Sequence, residues 1–238
     1  MTPDIETLYR VLESTWPAAS THREGPWTIR NGKGGGQRVA ATTAEGDFTD
    51  ADIDRAETAM SALGQPHLFM IRPGEDRLDA LLETRGYRIK DPVVLYLADI
   101  ASLTTEPVPL VSAFATYPPL AITADLWAAG GIGPSRMAVM DRVTGPKTAI
   151  LARNADQPAG AAFVAIHEKI AMIHAIEVSQ AHRKQGVGRN MLRAAAHWAQ
   201  DQGATHLALA VTRANLPANN LYTSLGMSVV GHYLYRIM

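Results

Sequence analysis

One junction constrains this chain more than any other. Between Ile170 and Val178 the residues are mostly apolar, with Ile173, Ala175, Ile176 and Val178 reading as a strand buried on both faces. Then comes Arg183-Lys184-Gln185-Gly186-Val187-Gly188, followed by a helix to about Gln202. That helix carries Met191, Leu192, Ala195, Trp198 and Ala199 on one side, with Gly203 at its end. Glycines in such a loop let an anionic ligand approach bare backbone and tolerate positive φ. The exposed N–H groups at the helix start aim at the anion, helped by the helix dipole and by Arg183, Lys184 and Arg189. An ordinary glycine turn with a solvated basic patch would look the same in isolation.

A second segment separates these readings. Asn215-Leu216-Pro217-Ala218-Asn219-Asn220-Leu221-Tyr222 is followed by Leu225-Gly226-Met227. Together, Val178 to Gly188 and Asn215 to Met227 resemble the two signatures of the GCN5-related N-acetyltransferase (GNAT) superfamily. These are a strand-ending Val with Arg/Gln-x-x-Gly-x-Gly/Ala, then N-x-x-A-x-x-L-Y-x-x-x-G-F. Met227 replaces the usual Phe, and Gln180 and His182 replace a frequent Pro and Tyr. The resemblance spans about residues 110–238.

The resemblance implies acetyl-CoA as co-substrate, with its pyrophosphate on the amides from Gln185 to Arg189 (Gln185, Gly186, Val187, Gly188, Arg189) and near Arg183 and Lys184. It implies that the pantetheine arm pairs with the strand at Ile176 and Val178 and that Asn215 contacts the cofactor. A polar residue before a pre-proline turn would also account for Asn215. Tyr222 falls where the family places a phenol near the thioester sulfur, and a hydroxyl there can protonate a departing thiolate. A core tyrosine on an amphipathic helix is the alternative.

The acceptor amine must be deprotonated before attack, since at a pKa of about 10.4 only roughly one part in a thousand is neutral at pH 7. Glu177 is the preferred base, acting through water, because a carboxylate in an apolar strand needs a reason; a salt-bridged strand residue is the alternative. Strict period-two alternation would set Glu177 on the face opposite His174, so that only one of them lines the acceptor side. Trp127, Arg136, Tyr233 and Tyr235 are candidates for shaping the acceptor pocket or for packing.

The fold class expected is α/β: a GNAT-like mixed, mostly antiparallel twisted sheet flanked by helices, in two tandem units. Charge-poor residues from Ile100 to about Thr116, with Pro107 and Pro109, divide the chain near residue 103. Residues 104–238 would be the catalytic GNAT domain and residues 1–103 a degenerate, non-catalytic GNAT-like unit walling the acceptor cleft. Leu78 to Tyr87 parallels Ala218 to Met227, each a short helix closed by Gly before a strand, but the first half has no Arg-x-x-Gly-x-Gly and Leu82 stands where Tyr222 does. The run Gly32-Lys33-Gly34-Gly35-Gly36 lacks the Ser/Thr of a phosphate loop and reads as a flexible hairpin tip between strands at Trp27–Arg30 and Arg38–Ala41.

Composition narrows the rest. With no cysteine among 238 residues, thiolate ligands, disulfides and a cysteine nucleophile are excluded. The net charge of −1 gives no reason to expect nucleic acid or an anionic membrane as partner. No metal site is expected, since no H-x-x-x-H pair falls on a helix. Asp4, Glu6 and Glu13 interrupt any leader-like stretch, and no apolar run reaches about 18 residues, so a cytoplasmic protein is expected. The function expected is acetyl transfer to a primary amine of a small molecule or peptide by direct attack. A non-catalytic acyl-CoA sensor is the alternative, and oligomeric state stays open.

Overall fold

The computed structural model describes residues 2–238. In chain order its elements are α1 (Ile5–Thr15), β1 (Ser20–Glu24), β2 (Trp27–Asn31), β3 (Thr43–Ala44), α2 (Asp50–Ala62), β4 (Leu68–Ile71), α3 (Asp76–Thr84), β5 (Arg88–Asp99) and α4 (Ile100–Leu103). There follow β6 (Ala113–Thr116), α5 (Ala121–Ala129), α6 (Pro134–Arg142), β7 (Lys147–Asn154), β8 (Gln157–His167), β9 (Ile170–Val178), α7 (Val187–Asp201), β10 (His206–Thr212), α8 (Leu216–Ser224) and β11 (Ser228–Ile237). Among the described residues no helix is long and apolar enough to cross a membrane.

Eight strands form one sheet in the order β4-β11-β5-β10-β9-β8-β7-β6, and β1-β2-β3 form a smaller one. All neighbours in the large sheet are antiparallel except β9 and β10. Alternation along β5 sends Val94, Tyr96 and Ala98 to one core and Val93, Leu95 and Leu97 to the other. The first core is closed by α4 and by the apolar stripe of α7 (Met191, Leu192, Ala195, Ala199). Opposite it, Leu8, Val11 and Leu12 of α1 cover one part of the sheet, and Trp127 and Val139 of α5 and α6 cover the part around Phe163.

The sheet runs across the boundary expected near residue 103, because the two repeats trade their last strands. β5 pairs with β10 of the second repeat, and β11 pairs with β4 of the first. The shift that carries Leu78 to Ala218 also carries Arg88 to Ser228 and Leu97 to Ile237. It therefore maps the β5–β11 pairs Leu97–Ser228 and Arg88–Ile237 onto each other. It likewise maps the Ile71–Leu234 pair of β4–β11 onto Val211–Val94 of β10–β5. Two copies of a β–α–β unit thus meet about a local two-fold between β5 and β11.

The first half departs from its expected hairpin. Residues Gln37–Val39 form a short 3₁₀ turn, and β2 pairs instead with β1 and β3. The glycine run is not a loose tip. A Cβ on Gly35 would lie 2.5 Å from Val139 Cγ2, and one on Gly34 would lie 3.3 Å from Ser135 Oγ, so the loop is pressed on α6. Only glycine permits that approach. Helix α6 itself was not anticipated; Pro134 opens it and its buried face is only Val139 and Met140, too short a stripe for periodicity to register.

Candidate active site

Hydrogen-bonded pairing between β9 and β10 covers only Ile170–Ile173 against His206–Leu209. Beyond these residues the parallel strands diverge, leaving His174–Val178 and Ala210–Thr212 without each other. Strand β9 bulges at the same place. Ala175 sits at φ 50°, and the register against β8 slips so that Phe163 faces His174 while Ala161 faces Glu177. Ala161 and Phe163 share one core, so His174 and Glu177 share a face. The expected alternation is corrected: one extra residue returns Glu177 to the side of His174.

At the end of β9 the glycine loop takes the shape an anion cradle needs. Lys184 and Gly186 have φ of 61° and 83°, and Gly186 is the residue before α7, with no side chain capping that helix. The first amides of α7 are therefore free of intrahelical partners. A Cβ on Gly186 would meet nothing within 4 Å, whereas one on Gly188 would lie 2.9 Å from Leu221 Cδ2. Gly186 thus faces open space and Gly188 packs α7 on α8. Asn154 braces the loop, donating from Nδ2 to Gln185 Oε1 at 2.6 Å. This backbone fits a pyrophosphate.

Other expected contacts are arranged differently. Arg183 turns back along β9, donating from Nε to the Val178 carbonyl at 3.0 Å and from Nη2 to Glu177 Oε1 at 3.3 Å. Glu177 is therefore a salt-bridged strand carboxylate, packed on the backbone of Gly130 at the end of α5. Asn215 caps α8, its Oδ1 accepting from the Ala218 amide at 3.2 Å. Ile176 and Val178 pack on the α7 side of the sheet. Tyr222 lies on that side too, 5% exposed, its ring 5.5 Å from that of Tyr96. Burial, and secondarily Tyr96, push its phenol above the ordinary tyrosine range, so it stays protonated.

On the opposite face the divergence opens into a cavity of about 510 Å³. Its walls include His174 and Ala175 of β9, Thr212 of β10, Arg136 of α6 and the backbone of Gly35 and Gly36. Tyr233 and Tyr235 of β11 and Arg38 complete it. Trp127, by contrast, is fully buried and donates its indole N–H to the Ala175 carbonyl at 2.9 Å, fastening the bulge. Arg38 was not anticipated, because its partners lie far away in sequence.

His174 is fixed as the neutral Nε2–H tautomer. Thr15 Oγ1 donates to the Val11 carbonyl at 2.6 Å and so must accept from His174 Nε2 at 2.9 Å. Nδ1 is then an acceptor for Arg38 Nη1 at 3.1 Å. Burial, and next the charge of Arg38, hold the imidazole well below its usual pKa.

A sequence model of the acetyltransferase (GNAT) family matches residues 122–227, so this segment of the chain is similar to the acyltransferases of that family. YobR, an uncharacterized N-acetyltransferase of Bacillus subtilis, is 24% identical over 98% of both chains. A GCN5-related N-acetyltransferase from Kribbella flavida has the same fold, with a TM-score of 0.72 at 17% identity over 99% of this chain and 96% of that one. A tandem GNAT protein from the clavulanic acid biosynthesis pathway superposes with a TM-score of 0.62 at 13% identity, over 97% and 87% of the two chains.

Proposed function

We propose that the chain transfers an acetyl group from acetyl-CoA to a primary amine by direct attack, using one cofactor site per chain. The observation that carries this reading is the divergence of β9 and β10. The gap between them lies between the face that holds Gly186 and Tyr222 and the face that holds the cavity. Acetyl-CoA would supply the activated thioester. The amides from Gln185 to Arg189 would hold its pyrophosphate, and the unpaired backbone at Ile176 and Val178 would accept its pantetheine arm. Tyr222, kept protonated by burial, holds the proton for the departing sulfur. Glu177, on the cavity face, takes the amine proton through water once its pair with Arg183 opens.

Setting the first repeat beside the second supports assigning residues 1–103 to a unit without cofactor. Within it, Thr42 and Phe69 form the parallel bridge that matches β9–β10. Arg72, just past β4, reaches the Ala44 carbonyl at the end of β3 and is held by Glu75 at 2.8 Å. A guanidinium thus spans the gap that stays open in the second repeat. No glycine cradle follows β3. This half instead supplies Gly35, Gly36 and Arg38 to the cavity wall.

Incubation with acetyl-CoA and a broad panel of amines tests the reading. Thiol release that depends on the amine, with an acetylated amine as product, supports it. Binding of acetyl-CoA without transfer to any amine or peptide would overturn it.

A further inference from the structure

We infer that the acceptor amine also carries a carboxylate, which Arg38 and Arg136 bind in the cavity on the α1/α6 side of β9 and β10. This rests on the N-acetyltransferase reading above and names the substrate class for that site.

The argument starts from charge. Among the described residues neither Arg38 nor Arg136 has a carboxylate within ion-pair distance, although the chain forms ion pairs for Arg10, Arg30, Arg72, Arg85, Arg183, Arg193 and Arg236. Arg38 is the more telling of the two. Its Nη1 donates to a neutral imidazole nitrogen, and its buried Nε has no partner. Tyr233 and Tyr235 line the same cavity with phenols, which accept hydrogen bonds but are not carboxylates. A guanidinium held out of bulk water without a counter-charge is costly, and a ligand anion removes that cost. The planar fork of arginine matches a carboxylate with two parallel hydrogen bonds.

Position agrees with charge. Arg136 lies across the cavity, where a Cβ on Gly36 would be 3.7 Å from its Nε, so the two cations belong to opposite repeats and converge on one space. Asp91, the carboxylate of the lining, stands exposed at the rim and accepts from Gln37 Nε2 at 2.9 Å, leaving both arginines uncompensated. The His174–Thr15–Val11 chain positions Arg38 by fixing the imidazole lone pair toward it. An amine held by a carboxylate at this depth would point at the open end of the β9–β10 gap.

The test uses matched ligands on the intact protein: amino acids of increasing chain length, their carboxamides, the corresponding amines without the carboxyl group, and aminoalkyl phosphates. Binding is followed by chemical-shift perturbation without acetyl-CoA, and transfer by thiol release with it. Amino acids should bind and react at least about tenfold better than their carboxamides, as expected for losing one charged hydrogen-bonding partner. Arg136→Ala, a change at an exposed position, should erase most of that preference while leaving the melting temperature unchanged. Arg38→Lys should keep charge but lose at least about half the discrimination, because the fork is gone. Equal binding of amino acids and carboxamides, tighter binding of the phosphates, or a preference that survives Arg136→Ala and Arg38→Lys would overturn the inference. Acetyl-CoA binding measured on the same samples shows separately whether the N-acetyltransferase reading stands.

Discussion

The indole N–H of Trp127 reaches the carbonyl of Ala175 at 2.9 Å, joining α5 to the bulge in β9. That bond is made by a fully buried side chain to a residue at φ 50°, so it holds backbone that a non-glycine residue adopts at a cost. Because the bulge sets which face Glu177 takes, the contact links a core residue to the proposed base. Trp127→Phe should lower stability by about 1–3 kcal/mol from the lost hydrogen bond and the smaller ring. It should also reduce kcat/KM by more than a loss of folded protein explains. Urea unfolding and steady-state kinetics on one preparation decide this; a stability loss with kcat/KM per folded molecule unchanged would show that the bulge holds without the indole.

Tyr222 should act as a proton donor across the accessible alkaline range. Its folded pKa is raised, so the phenol is lost only above the ordinary tyrosine value, and no alkaline limb below about pH 10 should belong to it. Tyr222→Phe should lower kcat by roughly 10²- to 10⁴-fold with the fold intact. An unchanged kcat across pH would remove Tyr222 from the chemistry.

His174 makes stability depend on acidity. Its folded pKa lies well below 6.5, so below that pH the unfolded chain binds a proton that the folded chain refuses. Stability is complete above about pH 6.5 and should fall toward acid by up to about 1.4 kcal/mol per pH unit from this group. Subtracting the profile of His174→Gln isolates the contribution; identical slopes between pH 4.5 and 6.5 for both proteins would refute it.

Strand exchange makes the halves interdependent. Residues 104–238 expressed alone lack β5, and both β10 and β11 then present open edges. This fragment should aggregate or stay unfolded, and adding residues 1–103 in trans should restore soluble structure. A monomeric, cooperatively melting fragment would contradict that dependence.

What was legible in the sequence was local. The Gly186–Gly188 loop, the cap at Gly203 and the Leu78–Tyr87 repeat each announce themselves within a dozen residues, through glycine and apolar spacing. The trade of β5 for β11 is not local: nothing within either strand names its neighbour, and only the assembled sheet chooses. The face of Glu177 was misread for a related reason, since a bulge is a property of two strands and leaves alternation in one of them looking normal. Arg38 was passed over because its partner His174 is 136 residues away.

The central claim is that one acetyl-CoA binds, at the loop before α7. Calorimetric titration of the whole chain with acetyl-CoA measures it, alongside Gly186→Trp, which fills the open space at φ 83°. One equivalent bound by the wild type and at least about tenfold weaker binding by the variant, with its melting curve still cooperative, is the expected result. Two equivalents per chain, no binding by the wild type, or unweakened binding by Gly186→Trp would contradict it.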